Sequence, residues 1–229
     1  MALQQHQTLH VILRLTLLSV IAASTVMAII ATLMYPPLLT MPNSTSYILK
    51  LVIMLLFYGI LVLRATSPAT DQTILRVGTL FGLAACILEI VHILVENFGH
   101  LNARTETIST GIFMAGLFIL FALSGYVVTR DKGNIASGMW CGSWSAVVCM
   151  LIVITYGLSQ LFWSFETMEK HNVGNPDFIR TGWSDLHAFV IADIFEAGFK
   201  ILFVGLVAGM IFGCCGAVAA KLLFKKIKV

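Results

Sequence analysis

Apolar residues along this chain gather into six long blocks, at residues 11–34, 47–63, 74–99, 108–129, 139–163 and 186–224, separated by polar connections. Crossing the hydrocarbon core of a bilayer takes about 20 apolar residues as a helix, so each block predicts one spanning helix. The connections carry strong breakers: YPPLLTMPNSTS after the first block, ATSPATDQ after the second and RDKGN after the fourth. All five prolines fall in such connections and none interrupts a span. The first block exceeds the apolar core of a signal peptide and lacks a small-residue cleavage site, which reads as a retained anchor. The expected architecture is a single all-α domain over residues 1–229, a polytopic transmembrane bundle of about six helices. Its longest connection, residues 164–184, is expected to form an outer loop that serves as a cap or as a plain solvated hairpin.

Composition strengthens this picture. Of 229 residues, 59% are hydrophobic and 11% charged, where soluble domains carry about 25% charge. The net charge of +3 brings no basic patch interleaved with aromatics, so nucleic acid is not an expected partner. The five cysteines all lie inside apolar blocks without a CxxC spacing; they read as small packed thiols.

Lysine and arginine set the orientation. Nine of them (Arg14, Arg64, Arg76, Arg130, Lys132, Lys221, Lys225, Lys226 and Lys228) flank one side, against four (Lys50, Arg104, Lys170 and Arg180) on the other. That bias places both termini in the cytoplasm and the 164–184 loop outside, with the cell membrane (plasma or inner) as the expected location. Trp140, Trp163 and Trp183 fall where an interfacial aromatic belt would.

Charge inside the blocks is the informative exception. At 100° per residue, Glu89, His92, Glu96 and His100 lie within an arc of about 80° on the third span. Asp185, Asp193, Glu196 and Lys200 repeat the arrangement on the sixth, again within about 80°. A rise of about 1.5 Å per residue sets Glu89 and Glu196 at one depth, and His92 and Asp193 at another. Equal depth leads to the expectation that the two stripes face each other and form one buried acidic site.

Ionisable groups at bilayer depth cost several kcal/mol each, so such a site must hold something positive. The leading expectation is a proton or cation pathway through Glu89, His92, Glu96, Asp193, Glu196 and Lys200, with Lys200 as a salt-bridge partner. The alternative is an intramembrane metalloenzyme acting on a lipid or other hydrophobic substrate. In it Glu89, His92, Asp193 and Glu196 would hold a divalent or transition metal ion, with Glu89-x-x-His92 as the two-ligand helix motif.

The opposite face of the sixth span carries Gly205, Gly209 and Gly213 at a spacing that lets helices approach closely. Those glycines serve either packing within the chain or contact with a second copy in a homo-oligomer. A third reading, a non-catalytic membrane subunit or sensor, follows from the second choice. With an acidic face and a glycine face, the sixth span is expected to be buried on both sides.

Overall fold

The structure, a computed structural model, describes residues 2–99 and 102–227. Six long helices, α1 (Ala2–Met34), α2 (Ser44–Ala65), α3 (Gln72–Phe98), α4 (Ala103–Lys132), α5 (Ile135–Trp163) and α8 (Leu186–Ile227), match the six apolar blocks. All six are long and apolar enough to cross a membrane. The protein is a polytopic helical membrane protein.

The helices extend beyond the apolar blocks because polar residues cap them. Asp71 accepts from the Thr73 amide at 2.8 Å, Asn102 from Thr105 at 3.0 Å and Asn134 from Ala136 at 3.0 Å, each satisfying an amide that the first helical turn leaves unpaired. Gly133 ends α4 with φ +69°, a left-handed turn that permits the tight reversal into α5.

The 164–184 connection is more ordered than a plain loop. It folds into α6 (Phe165–Asn172) and α7 (Pro176–Thr181), and α6 packs against α3, α5 and α8 at the bundle end away from both termini, the outer end of the expected orientation. Trp183 is buried at 7% exposure, with its ring 5.9 Å from Phe189. It is a packing residue, not the interfacial anchor expected, whereas Trp140 and Trp163 remain exposed near the two ends of α5.

The centre of the bundle is α5, not the sixth span. It packs against α1, α3, α4 and α8, and 67% of its most apolar stretch is buried, against 33% for α8. Its sequence, IASGMWCGSWSAVVCMLIVITYGLSQLFW, contains no charged residue. A helix apolar around its whole circumference belongs in the interior. Small residues let its neighbours close in: Gly138, Gly142 and Ala146 meet Ala217, Gly213 and Gly209 of α8.

The glycines of α8 are therefore used within the chain. Gly205 sits over Met150, Gly209 over Gly142 and Ala146, and Gly213 over Gly142 and Gly138. The glycine face is thus occupied by α5 of the same chain. The other side of α8, with Asp193 and Lys200, is exposed, so α8 is buried on one side only.

Asp185 fastens the outer end. Its carboxylate accepts from the Ala188 amide at 3.1 Å, capping α8, and from the Tyr35 hydroxyl at 2.5 Å, which ties α8 to the end of α1. Burial pushes this carboxyl up, but the Tyr35 hydroxyl and the Ala188 and His187 amides together outweigh it and hold its pKa below the ordinary 3.8. A depressed carboxylate stabilises the fold above its unfolded pKa and loses that contribution as pH falls through its folded value. Asp185→Ala is expected to cost about 1 kcal/mol near neutral pH. In thermal unfolding of the detergent-extracted protein, the gap to wild type should close as pH drops below 3.8.

Candidate functional site

The α3 stripe forms a connected polar chain. Three and four residues apart, Glu89, His92 and Glu96 lie on one face of the helix. The imidazole bridges the two carboxylates: Nδ1 is 3.4 Å from Glu89 Oε1, and Nε2 is 2.9 Å from Glu96 Oε1. His92 is 3% exposed and Glu89 7%, whereas the Glu96 side chain is 34% exposed. The chain thus runs from a partly open outer carboxylate to a closed inner one.

Its surroundings come from α4 and α5. The Thr110 hydroxyl of α4 is 3.0 Å from Glu96 Oε1 and 3.4 Å from His92 Nε2. Phe113, one turn further along α4, stacks on the imidazole with centroids 4.9 Å apart. Toward the outer end, the Asn97 side-chain amide donates to Gln160 Oε1 of α5 at 3.4 Å, and Gln160 Nε2 donates to the Tyr156 hydroxyl at 3.4 Å.

At the inner end the chain stops. Glu89 Oε2 is buried and has no hydrogen-bond partner among the described residues. Inward of it the buried α3 residues are Cys86, Ala85, Gly82, Gly78, Leu75 and Ile74. Gly82 and Gly78 bring α3 against α5: a Cβ at Gly82 would lie 2.6 Å from the Ser145 carbonyl oxygen, and one at Gly78 would lie 2.7 Å from the Trp144 ring. Below Glu89, α3 thus packs closely on α5.

The α8 stripe is a separate cluster. Lys200 Nζ and Glu196 Oε1 form an ion pair at 2.8 Å, as the spacing predicts. Asp193 is exposed, and Asp185 belongs to the outer cap. A second cation, Lys50 of α2, lies 6.0 Å from the Phe199 ring centroid and 5.6 Å from that of Tyr47.

The two stripes do not face each other. Helices α4 and α5 each pack against both α3 and α8, whereas α3 and α8 are not packed together among the described residues. The expected four-residue set of Glu89, His92, Asp193 and Glu196 is consequently divided between two sides of the bundle. Among the described residues no group of three His, Cys, Asp or Glu side chains is placed to hold one metal ion. The physical reason is the position of α5: equal depth on two helices does not make them neighbours when a charge-free helix fills the space between them. His100 lies outside the described residues.

Thr110 and Phe113 are neighbours of the α3 stripe that residue type alone does not reveal, because a threonine in a span commonly bonds to its own helix backbone. Thr110 does so too, at 3.0 Å from the Glu106 carbonyl. The signal for its second role is the short connection between α3 and α4. That hairpin sets Thr110 and His92 at the same depth, roughly 10 Å from the turn at about 1.5 Å per residue. No family model matches the chain, and neither a curated protein nor a solved structure shows significant similarity to it.

Proposed function

We propose that this protein handles protons in the membrane, with Glu96, His92 and Glu89 as a relay reached from the outer end and Glu89 as its terminal acceptor. One observation carries the reading: a buried imidazole bridges two carboxylates, and the inner carboxylate keeps a buried oxygen without a partner. Imidazole can take a proton on one nitrogen and release one from the other. Intramembrane Glu and His chains of this kind serve as proton relays.

A coupled carrier fits better than an open pore. The polar chain ends at Glu89, and α3 and α5 close tightly below it, so release of a proton to the other side requires rearrangement of the helices. The cation-pathway and metalloenzyme readings lose support from the separation of the α3 and α8 stripes. Asp193, Glu196 and Lys200 then stand outside the relay.

The test is proton flux in proteoliposomes carrying an internal pH dye, with a gradient imposed across the membrane. Glu89→Gln, which keeps the shape but not the titration, is expected to lower flux about tenfold or more. Flux equal to wild type in that variant would sink the relay.

A second reading, a subunit that docks a partner, is favoured by Asp193, which lies exposed within the span. A charge there is costly against hydrocarbon, and a polar residue on a partner helix would relieve that cost. The mass of the complex after gentle extraction decides it: a single-chain mass counts against docking, and a larger assembly supports it.

A further inference from the structure

A cavity of about 1020 Å³, lined by Arg14, Arg76 and Lys132, opens between α1, the α2–α3 connection, α3 and the end of α4. Its polar lining is dominated by donors. Arg14 is held at the wall by Thr66, through Nε to the hydroxyl at 3.1 Å and Nη2 to the carbonyl at 2.8 Å. Those are neutral acceptors, and no carboxylate among the described residues cancels the guanidinium charge. Arg76, from the first turns of α3, is exposed and has no ion-pair partner among the described residues. Lys132 pairs with Asp71 at 2.8 Å, so three cations face one carboxylate.

Two further side chains on this wall have polar atoms without partners. His10 is 8% exposed and its Nδ1 is buried with no hydrogen bond among the described residues. The Nε2 of Gln72 is likewise buried and unpaired. A buried polar group left unsatisfied costs about 1–3 kcal/mol. Both residues stand on the wall of a cavity whose charge is already positive, and an anion with several acceptor oxygens would meet the uncancelled guanidinium charge there.

We infer that this cavity binds a phosphate group, presented by an anionic lipid headgroup or by a small phosphorylated solute. The level is right for a headgroup: α2 ends at Ala65 and α3 begins at Gln72, so the cavity lies where the hydrocarbon blocks give way to polar chain. Arginine is suited to phosphate, since its planar fork contacts two oxygens at once. Val11 and Val77 on the lining offer apolar surface to the glycerol or first methylenes of a lipid. Basic pockets between spans on the cytoplasmic side are a known form of headgroup recognition.

The experiment uses the full chain in nanodiscs of phosphatidylcholine, with and without a minor share of phosphatidic acid, and reads bound lipid by native mass spectrometry. A second arm adds glycerol 3-phosphate to the lipid-free detergent preparation and reads binding by calorimetry. Retention of phosphatidic acid over phosphatidylcholine identifies a lipid headgroup as the source, whereas binding of glycerol 3-phosphate identifies a soluble phosphate. Arg76→Ala, whose side chain holds no partner among the described residues, is expected to weaken binding about fivefold, the effect of one basic side chain near a headgroup. Lys221→Ala, at the same end of the bundle but outside the cavity, should leave it unchanged. The proposal is overturned if neither phosphate compound binds above phosphatidylcholine, or if Arg76→Ala and Lys221→Ala weaken binding equally, which would indicate diffuse attraction with no site.

Discussion

Gly142→Leu is expected to abolish the folded bundle, so that the extracted protein elutes as aggregate and shows no cooperative melt. A Cβ at this position would lie 2.5 Å from both the Gly209 carbonyl oxygen and the Gly213 Cα of α8. Real side-chain carbons do not approach that closely. The obstructing atoms are backbone, which cannot rotate aside as a side chain can, so α5 and α8 would have to separate along their length. Between helices in lipid the attraction is mostly van der Waals contact, helped by small residues that let backbones meet, and it falls steeply with distance. The same junction contains Gly138 on α5 itself and Gly125 on α4, and Gly216 of α8 is pressed against the Ala122 carbonyl, so the strain has nowhere to go. Overpacking a core costs about 1–3 kcal/mol and occasionally more, and here it acts on the most buried helix. Gly142→Ala should fall between wild type and leucine. Gly157→Leu, on the same helix with nothing within 4 Å of its position, is the control and should melt like wild type. A wild-type elution profile and melt for Gly142→Leu would refute the expectation.

His92→Phe is the second large effect, expected to reduce proton flux to the leak of protein-free vesicles. The substitution keeps a planar ring of similar size and preserves the stack on Phe113, now centred 4.9 Å away. What it removes is both nitrogens, and with them the link between Glu96 and Glu89. If the imidazole is the only bridge, a proton on Glu96 has no route to the buried carboxylate. Glu96→Gln should lower flux less, because the Thr110 hydroxyl, 3.4 Å from His92 Nε2, leaves a second approach for water. A melting temperature close to wild type would separate loss of the relay from loss of the fold. Wild-type flux in His92→Phe would remove the imidazole from the pathway.

The outline of this fold was readable in the chain, and the gap concerns neighbours. Apolar length placed all six spans, and capping residues such as Asp71, Asn102 and Asn134 explain the few residues by which the helices overrun the apolar blocks. Helical periodicity also grouped Glu89, His92 and Glu96 correctly, because residues three and four apart share a face whatever surrounds them. The same logic found Lys200 beside Glu196. Periodicity identifies a face but not what lies opposite it. The α3 and α8 stripes matched in depth and in charge, yet α5 stands between them. Charge alone did not mark α5 as central: its apolar block carries no charged residue, but neither does the fourth block, 108–129. The basic cavity was hidden for a different reason. Its arginines come from segments far apart in the chain, and each looks like ordinary cytoplasmic flanking charge until the bundle closes.

The central position of α5 also sets a timetable for synthesis. The first helix holds to it through Ser24 and Thr155, whose hydroxyls lie 2.7 Å apart across 131 residues of sequence. Chains elongate at about 5–20 residues per second, so α1 waits roughly 7 to 26 s for that partner after its own contact residue is made. During this interval it has α2 beside it, with Arg14 able to grip Thr66 only once the second span is complete. The newborn protein thus passes through a stage in which an early hairpin stands in the bilayer with its polar hydroxyls uncovered, open to chaperones or to premature pairing with other chains.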